Sequence, residues 1–232
     1  MSNFFNELEN ELYLIRPKED ELYPVNNKVE VRNDWHQKRL GKLTSSRYEH
    51  MMQKGKGSRF GTMAMNYIYE KVAELLTNAP HVVTSQAMEW GTNMEAEAIL
   101  KYQEEKGLIV TQSDFVPFGE FAGGSPDGLV DETGIVEEDG IIEVKCPFNP
   151  ANHAETIITD AVPDKHMMQI QGNLMATGRK WCDFISYDPR VQNEALRLFV
   201  KRVYRDEEII NELKERIVEV SEKIKELYEK LK

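Results

Sequence analysis

The sequence predicts an α/β fold, and three observations carry that prediction. Apolar residues recur at helical spacing over residues 60–77 and 86–106, the period becomes strand-like from residue 108, and a heptad-spaced segment closes the chain. Read in order, the elements are helices, three strands, a helix, two strands and a last helix. With 232 residues and 41% hydrophobic content, the chain is long enough for one large domain with a substantial core.

Residues 1–32 are polar and irregular, with Pro17 and Pro24 as breakers, and read as an N-terminal arm or a short helix. Trp35 to Leu40 reads as a helix closing at Gly41, with Thr44 or Ser45 as the N-cap of the next helix. Met63, Tyr67, Val72 and Leu75 or Leu76 give 60–77 its apolar face, and Met88, Glu95, Ala98 and Tyr102 fall at helical spacing over 86–106. Residues 108–118 read as a strand, with turns at Gly119 and Gly123-Gly124. Residues 128–131 and 140–146 read as short apolar strands around an acidic hairpin loop. Asp164 to Ala176 reads as a helix with Met167, Ile170, Gln171 and Leu174 on one face; Gln169, Asn173 and His166 make an adjacent polar face. Trp181–Tyr187 and Leu196–Tyr204 read as strands joined through Asp188-Pro189-Arg190. Ile210, Leu213, Ile217, Val220, Ile224, Leu227 and Leu231 then form a heptad pattern. It fits an amphipathic helix lying on the domain's own core, and less well a subunit contact.

Composition narrows the function classes. No apolar run reaches about eighteen residues, and the N-terminus lacks the basic start and apolar run of a secretion signal. A soluble, cytoplasmic protein without membrane association is expected. Cys146 and Cys182 are too few for a zinc or iron–sulfur cluster and read as buried thiols. The net charge of −11 disfavours broad contact with nucleic acid. Its distribution is uneven: Lys38, Arg39, Lys42, Arg47, Lys54, Lys56 and Arg59 face the single acid Glu49 between Trp35 and Phe60. Such a band admits DNA at one place on an acidic body, or is simply a solvated helix face.

The segment Ser125-Pro126-Asp127-Gly128 is followed, fifteen residues after Asp127, by Ile142-Glu143-Val144-Lys145. On a strand, Glu143 and Lys145 share one face and Val144 points to the other. Two carboxylates offer the hard oxygen ligands that Mg²⁺ prefers, and a neighbouring ammonium can orient water or offset charge on a phosphate. In this reading Asp127 and Glu143 bind the metal and the Val144 carbonyl adds a ligand. Lys145 positions or activates water, and Glu95 adds a carboxylate from the preceding helix. The motif taken alone is better read as a Pro-Asp-Gly turn beside a surface ion pair.

Several further segments occur in one order: Trp35-His36 to Arg39-Leu40-Gly41, Thr44-Ser45-Ser46, Trp90-Gly91 with Glu95, the two segments above continuing into Cys146-Pro147, Gln169-Ile170-Gln171, and Tyr187-Asp188-Pro189-Arg190. Together they resemble the lambda-exonuclease or YqaJ-like viral recombinase family of the PD-(D/E)xK nuclease superfamily, over residues 33–205. The resemblance implies a restriction-endonuclease-like core in 33–205, with a mixed β-sheet flanked by helices. Residues 206–232 remain as an amphipathic helix of the same domain or a subunit contact. It further implies a Mg²⁺-dependent exonuclease, with two ions per site and Mn²⁺ as a substitute. Such an enzyme degrades one strand of double-stranded DNA ends from 5′ to 3′ and prefers a 5′-phosphate. The 3′ strands that remain go to a single-strand annealing recombinase, and the family's ring is a homotrimer.

By position, the resemblance makes Asp127, Glu143 and Lys145 catalytic, with Glu95 as an additional acid. Arg39, Ser46, Ser125 and Gln169 fall on the pocket for the terminal 5′-phosphate, and Met88 on an apolar wedge that splits the end base pair. Plainer readings stand beside these: a helix-surface charge for Arg39, a helix cap for Ser46, and a solvated side chain for Gln169. Trp90 reads as core, and His36 and His166 as hydrogen-bonded supports; His166 stands where the relatives carry Tyr. Two other functions use the same residues. One is a structure- or sequence-selective endonuclease, and the other is an inactive DNA-end-binding scaffold, which would have no chemical need for Asp127, Glu143 and Lys145 together.

Overall fold

The computed structural model describes residues 35–81 and 83–232, so the expected arm at 1–32 lies outside the described residues. Contacts divide the chain into residues 1–38 and 39–232. In the first unit, residues 35–38 are helical; the second contains every element named below. No described helix is long and apolar enough to cross a membrane.

The second unit is mixed α/β. Its strands are β1 (Leu43–Thr44), β2 (Val110–Thr111), β3 (Val116–Phe118), β4 (Ala122–Gly124), β5 (Gly128–Val130), β6 (Gly140–Lys145), β7 (Trp181–Tyr187) and β8 (Leu198–Tyr204). Its helices are α1 (Tyr48–Met52), α2 (Thr62–Thr77), α3 (Gln86–Lys106), α4 (Pro150–Thr159), α5 (Met167–Thr177) and α6 (Glu207–Leu231). The main sheet runs β2-β5-β6-β7-β8 and a smaller one β1-β4-β3. In the main sheet β6 and β7 are parallel and the other pairs antiparallel. A parallel pair needs a long crossover, and here it carries α4 and α5.

Helices α3 and α5 together bury β6 on both faces. Ile142 and Val144 pack with Ala98 and Tyr102 of α3, while Ile141 packs with Ile170 and Leu174 of α5. Alternation therefore sends Glu143 and Lys145 to the α5 side. On the α3 side the Tyr102 hydroxyl donates to Asp183 Oδ2 at 2.8 Å, and Arg202 Nε and Nη2 donate to the same carboxylate at 2.8 and 2.9 Å. This buried acid is fully paired, so its burial is tolerated.

Several elements differ from the sequence expectation, among them Leu43–Thr44, a strand where a helix cap is expected. Residues 108–118 form two strands in different sheets, β2 pairing with β5 and β3 with β4, with the irregular residues 112–115 between them. Gly123 and Gly124, expected as a turn, belong to β4; a Cβ on Gly123 would stand 2.3 Å from the Phe115 ring, so tight packing selects glycine there. Helix α4 was not expected, although Asn149 caps it by accepting from Ala151 N at 3.1 Å and Pro150 occupies its first turn.

Helix α6 lies on the protein's own core. Ile210, Leu213, Ile217, Val220 and Ile224 are buried in one cluster with Tyr48, Met51, Tyr67, Ile68 and Val72. The buried Arg216 donates to Met51 O at 2.8 Å and Gln53 O at 3.1 Å, tying α6 to the end of α1. Leu213 is fully buried, and Leu213→Ala is expected to cost about 2–5 kcal/mol in urea unfolding. A loss below about 1 kcal/mol would mean that the helix contributes little to this core.

Candidate active site

The site begins where β5 starts, at Asp127 just before Gly128. Asp127 N donates to Ile142 O at 3.1 Å, and Val144 N donates to the Asp127 carboxylate, at Oδ2, at 2.6 Å. Asp127 thus extends the β5–β6 ladder with its side chain beyond the last backbone pair at Gly128 and Ile142. In an extended strand the N–H and C=O of one residue point the same way, so the Val144 carbonyl faces this edge too.

Glu143 is fully buried and held on both oxygens. Gln169 Nε2 donates to Oε1 at 2.6 Å, and Asn173 Nδ2 donates to Oε2 at 2.9 Å. The Lys145 ammonium also donates to Oε1, forming an ion pair across one face of the strand. Burial pushes the Glu143 carboxyl up to about 8, against the opposing pull of Lys145, with Asp127 adding to the rise. Burial likewise raises Asp127, opposed by Lys145 and the Val144 N–H. Burial alone would lower the Lys145 ammonium, but Glu143 and Asp127 raise it well above its ordinary value, so it stays charged.

Glu95 approaches from α3. It shares a helix face with Ala98 and Tyr102, three and seven residues on, which are packed against the sheet. Its carboxyl is pushed up to about 7 by burial and then by the charge of Asp127, which places the two acids within electrostatic reach. Met88, seven residues before Glu95, lies on the same helix face about 10 Å away along the axis. It is 55% exposed, at the free end of α3.

The residues expected to contact phosphate are brought only partly together. Arg39 Nη1 donates to Ser125 Oγ at 3.2 Å, two residues before Asp127. Gln169 sits on Glu143. Ser46 is exposed in the one-turn 3-10 helix Ser45–Arg47, and no side-chain cap bond forms at Thr44 or Arg47. The Ser45 hydroxyl, expected as a cap, instead donates to Asn173 Oδ1 at 2.6 Å. The basic band is not a uniform face: Arg47 pairs with Glu70 at 3.0 Å, and Arg59 with Glu219 at 3.1 Å.

Other residues of the site took different parts from those expected. The Arg190 guanidinium donates to Pro147 O at 2.9 Å and Phe148 O at 3.1 Å while pairing with Asp188 at 2.8 Å, and it lies 4.4 Å over the Trp90 ring. This clamp fixes the chain leaving Lys145. His166 stacks on Phe184 at 5.4 Å, and burial lowers its pKa to about 3, with Lys145 and Lys165 adding to the fall; it is a neutral ring. The sequence marks Asn173 only as part of a polar helix face, yet it is buried against Glu143. The sequence signal for it is its spacing of four from Gln169, which aligns the two amides on α5. Both cysteines are free and buried.

The donor set suits a hard divalent cation: the Asp127 carboxylate and the Val144 carbonyl at one strand edge, with the Glu143 and Glu95 carboxylates in electrostatic reach of Asp127. Among the described residues, no group of three or more His, Cys, Asp or Glu side chains is arranged to hold a metal by itself. Magnesium does not require one, because it keeps several waters and is commonly bound through one or two carboxylates.

The profile of the YqaJ-like viral recombinase domain matches residues 34–180. An alkaline exonuclease from Laribacter hongkongensis is 34% identical, with a TM-score of 0.76 over 86% of this chain and 95% of its own; its complex with dAMP gives the same values. A phage-related exonuclease from Haemophilus somnus 129PT shares the fold at 16% identity, with a TM-score of 0.65 over 82% of this chain and 96% of its own. No curated protein matches the sequence. The match over 34–180 and the 34% identity establish that the chain belongs to the YqaJ-like viral recombinase, or lambda-exonuclease, family of PD-(D/E)xK nucleases.

Proposed function

We propose that the protein is a Mg²⁺-dependent exonuclease that degrades the 5′ strand of double-stranded DNA ends, prefers a 5′-phosphate and leaves 3′ single strands. The observation that carries this reading is the edge of β6, where Asp127, Glu143, the Val144 carbonyl and Lys145 converge beside the Arg39–Ser125 bond. The exonuclease activity of the 34% identical relative, and its complex with dAMP, support phosphodiester chemistry at this edge.

In this reading Asp127, Glu143 and the Val144 carbonyl hold Mg²⁺, with Glu95 completing the acidic wall for a second ion; Mn²⁺ can replace it. Bound magnesium supplies Lewis acidity and a water of lowered pKa. Lys145 donates to the attacking water or to the phosphoryl oxygens, where negative charge grows. Arg39, Ser125 and Ser46 take the oxygens of the terminal phosphate, a guanidinium fork and hydroxyls being suited to a dianion. Gln169 orients Glu143 and faces the same phosphate, and Met88 separates the end base pair.

Residues 33–205 form the nuclease domain in this proposal, and α6 completes its core. A net charge of −11 gives little long-range attraction to DNA, which favours a ring that stays on its substrate. We therefore assign a homotrimer in the host-cell cytoplasm that hands its product to a single-strand annealing recombinase. Linear duplexes labelled at either the 5′ or the 3′ terminus, beside a closed circle, test the reading with and without Mg²⁺. The 5′ label should leave first as a mononucleotide, and chelation should stop its release. Cleavage of the circle would favour the endonuclease, and earlier loss of the 3′ label would reverse the polarity.

A further inference from the structure

Glu143 is the site's most enclosed acid, and the bond on its Oε2 leads away from the metal edge. Asn173 Nδ2 donates to that oxygen at 2.9 Å, and Ser45 Oγ donates to Asn173 Oδ1 at 2.6 Å. Glu143, Asn173 and Ser45 are 0%, 0% and 3% exposed. With a cation bound, Glu143 is an ionised carboxylate that only accepts hydrogen bonds, so Asn173 donates with its nitrogen and accepts with its oxygen. The relay has one direction, from the Ser45 hydroxyl through the amide to the carboxylate.

Close packing protects this relay. A Cβ on Gly124 would stand 2.4 Å from Asn173 Oδ1 and 3.3 Å from Ser45 Oγ. A Cβ on Gly172 would stand 2.6 Å from the Tyr48 ring and 3.1 Å from Ser45 Cβ. Two glycines thus let α5 and β4 close on the turn that carries Ser45.

We propose that Asn173, anchored by Ser45, is a positioning residue that holds the Glu143 carboxylate in its metal-binding orientation. The inference rests on the metal-site reading of Asp127 and Glu143. Without the Asn173 amide, Oε2 loses its buried donor, and Lys145 and Gln169 hold the carboxylate only at Oε1, about which it can turn. Partners of metal ligands of this kind are commonly worth about 10- to 100-fold in metal affinity or activity.

The test is calorimetric titration of Mg²⁺ and Mn²⁺ into the full-length protein without DNA, together with kcat and KM on duplex ends. Asn173→Ala should weaken metal binding about 10- to 100-fold and lower kcat with little change in KM for DNA. Ser45→Ala should do the same to a smaller degree, and Ser45→Thr, which keeps the hydroxyl, should restore most of the loss. The double variant should be no worse than Asn173→Ala alone, since the two act in series. Unchanged metal affinity in a folded Asn173→Ala protein overturns the proposal, and so do additive losses. Should Asn173→Ala fail to fold, the Ser45 pair decides: equal affinity in Ser45→Ala and wild type overturns it. Asp127→Asn separates the two levels. If it too leaves metal affinity unchanged, the metal-site reading itself fails; if it alone abolishes binding, only the role of Asn173 fails.

Discussion

Lys145→Ala is expected to lower hydrolysis of duplex ends by about 10²- to 10⁴-fold, the range for a positioned proton-transfer or charge-stabilising group. Binding of the duplex should be largely retained. The Lys145 ammonium donates to Glu143 and raises no packing problem when removed, since its side chain is 28% exposed. Its charge opposes the burial of both Asp127 and Glu143 and is kept by them in turn. Single-turnover digestion beside a binding assay without Mg²⁺ measures the two effects separately. Asp127→Ala should match the loss of hydrolysis, because it removes the bond from Val144 N and, on the proposed function, a carboxylate that holds the metal. Lys145→Arg should recover little, as a planar fork does not replace the compact ammonium that pairs with Glu143. Cleavage retained in either alanine variant would remove these residues from the chemistry.

Arg39→Ala should slow digestion of phosphorylated ends by about 10- to 100-fold, the worth of one charged hydrogen bond of about 1.5–3 kcal/mol. Ends bearing a hydroxyl should be cut at nearly the wild-type rate. The guanidinium is partly buried, which lowers its pKa to about 10 against the raising influence of Tyr67 and Glu74, so it remains a cation at neutral pH. Its turn is fixed from behind. Gly41 N donates to Glu74 Oε2 at 2.9 Å, and Glu74 forms a buried pair with Lys71 at 2.8 Å. Gly41 itself has φ +68°, with Leu75 Cδ2 2.6 Å from where a Cβ would stand. An arginine held in advance loses less entropy on meeting a phosphate. Competition between phosphorylated and hydroxyl ends in one tube gives the ratio directly, and equal losses on both would argue against the pocket.

The parts of this fold legible in the sequence are those with local periodicity. Ile141 to Lys145 announces a buried strand, and the heptad positions of α6 are the residues that the core buries. Strand β4 has no such signature, because glycine lacks strand propensity and its selection comes from Phe115, Asn173 and Ser45. Helix α4 did carry a local sign, in Asn149-Pro150, that periodicity alone does not weigh. In the site, Asp127, Glu143 and Lys145 stand out by spacing, whereas the depth of Glu143 does not. The same spacing describes a surface ion pair, and only α5 folded across the sheet distinguishes them. Asn173 was hidden for a related reason: its partners lie far away along the chain.

Those distances along the chain bear on when the protein becomes active. The bond between Ser45 and Asn173 joins residues 128 apart, and that between Arg39 and Ser125 joins residues 86 apart. Contacts of such long range form late, after the chain has closed its large loops. A nascent or partly unfolded chain therefore holds Asp127 and Glu143 without the groups that aim them. On the proposed function, the cell meets this activity only as a finished molecule, and unfinished copies leave its DNA untouched.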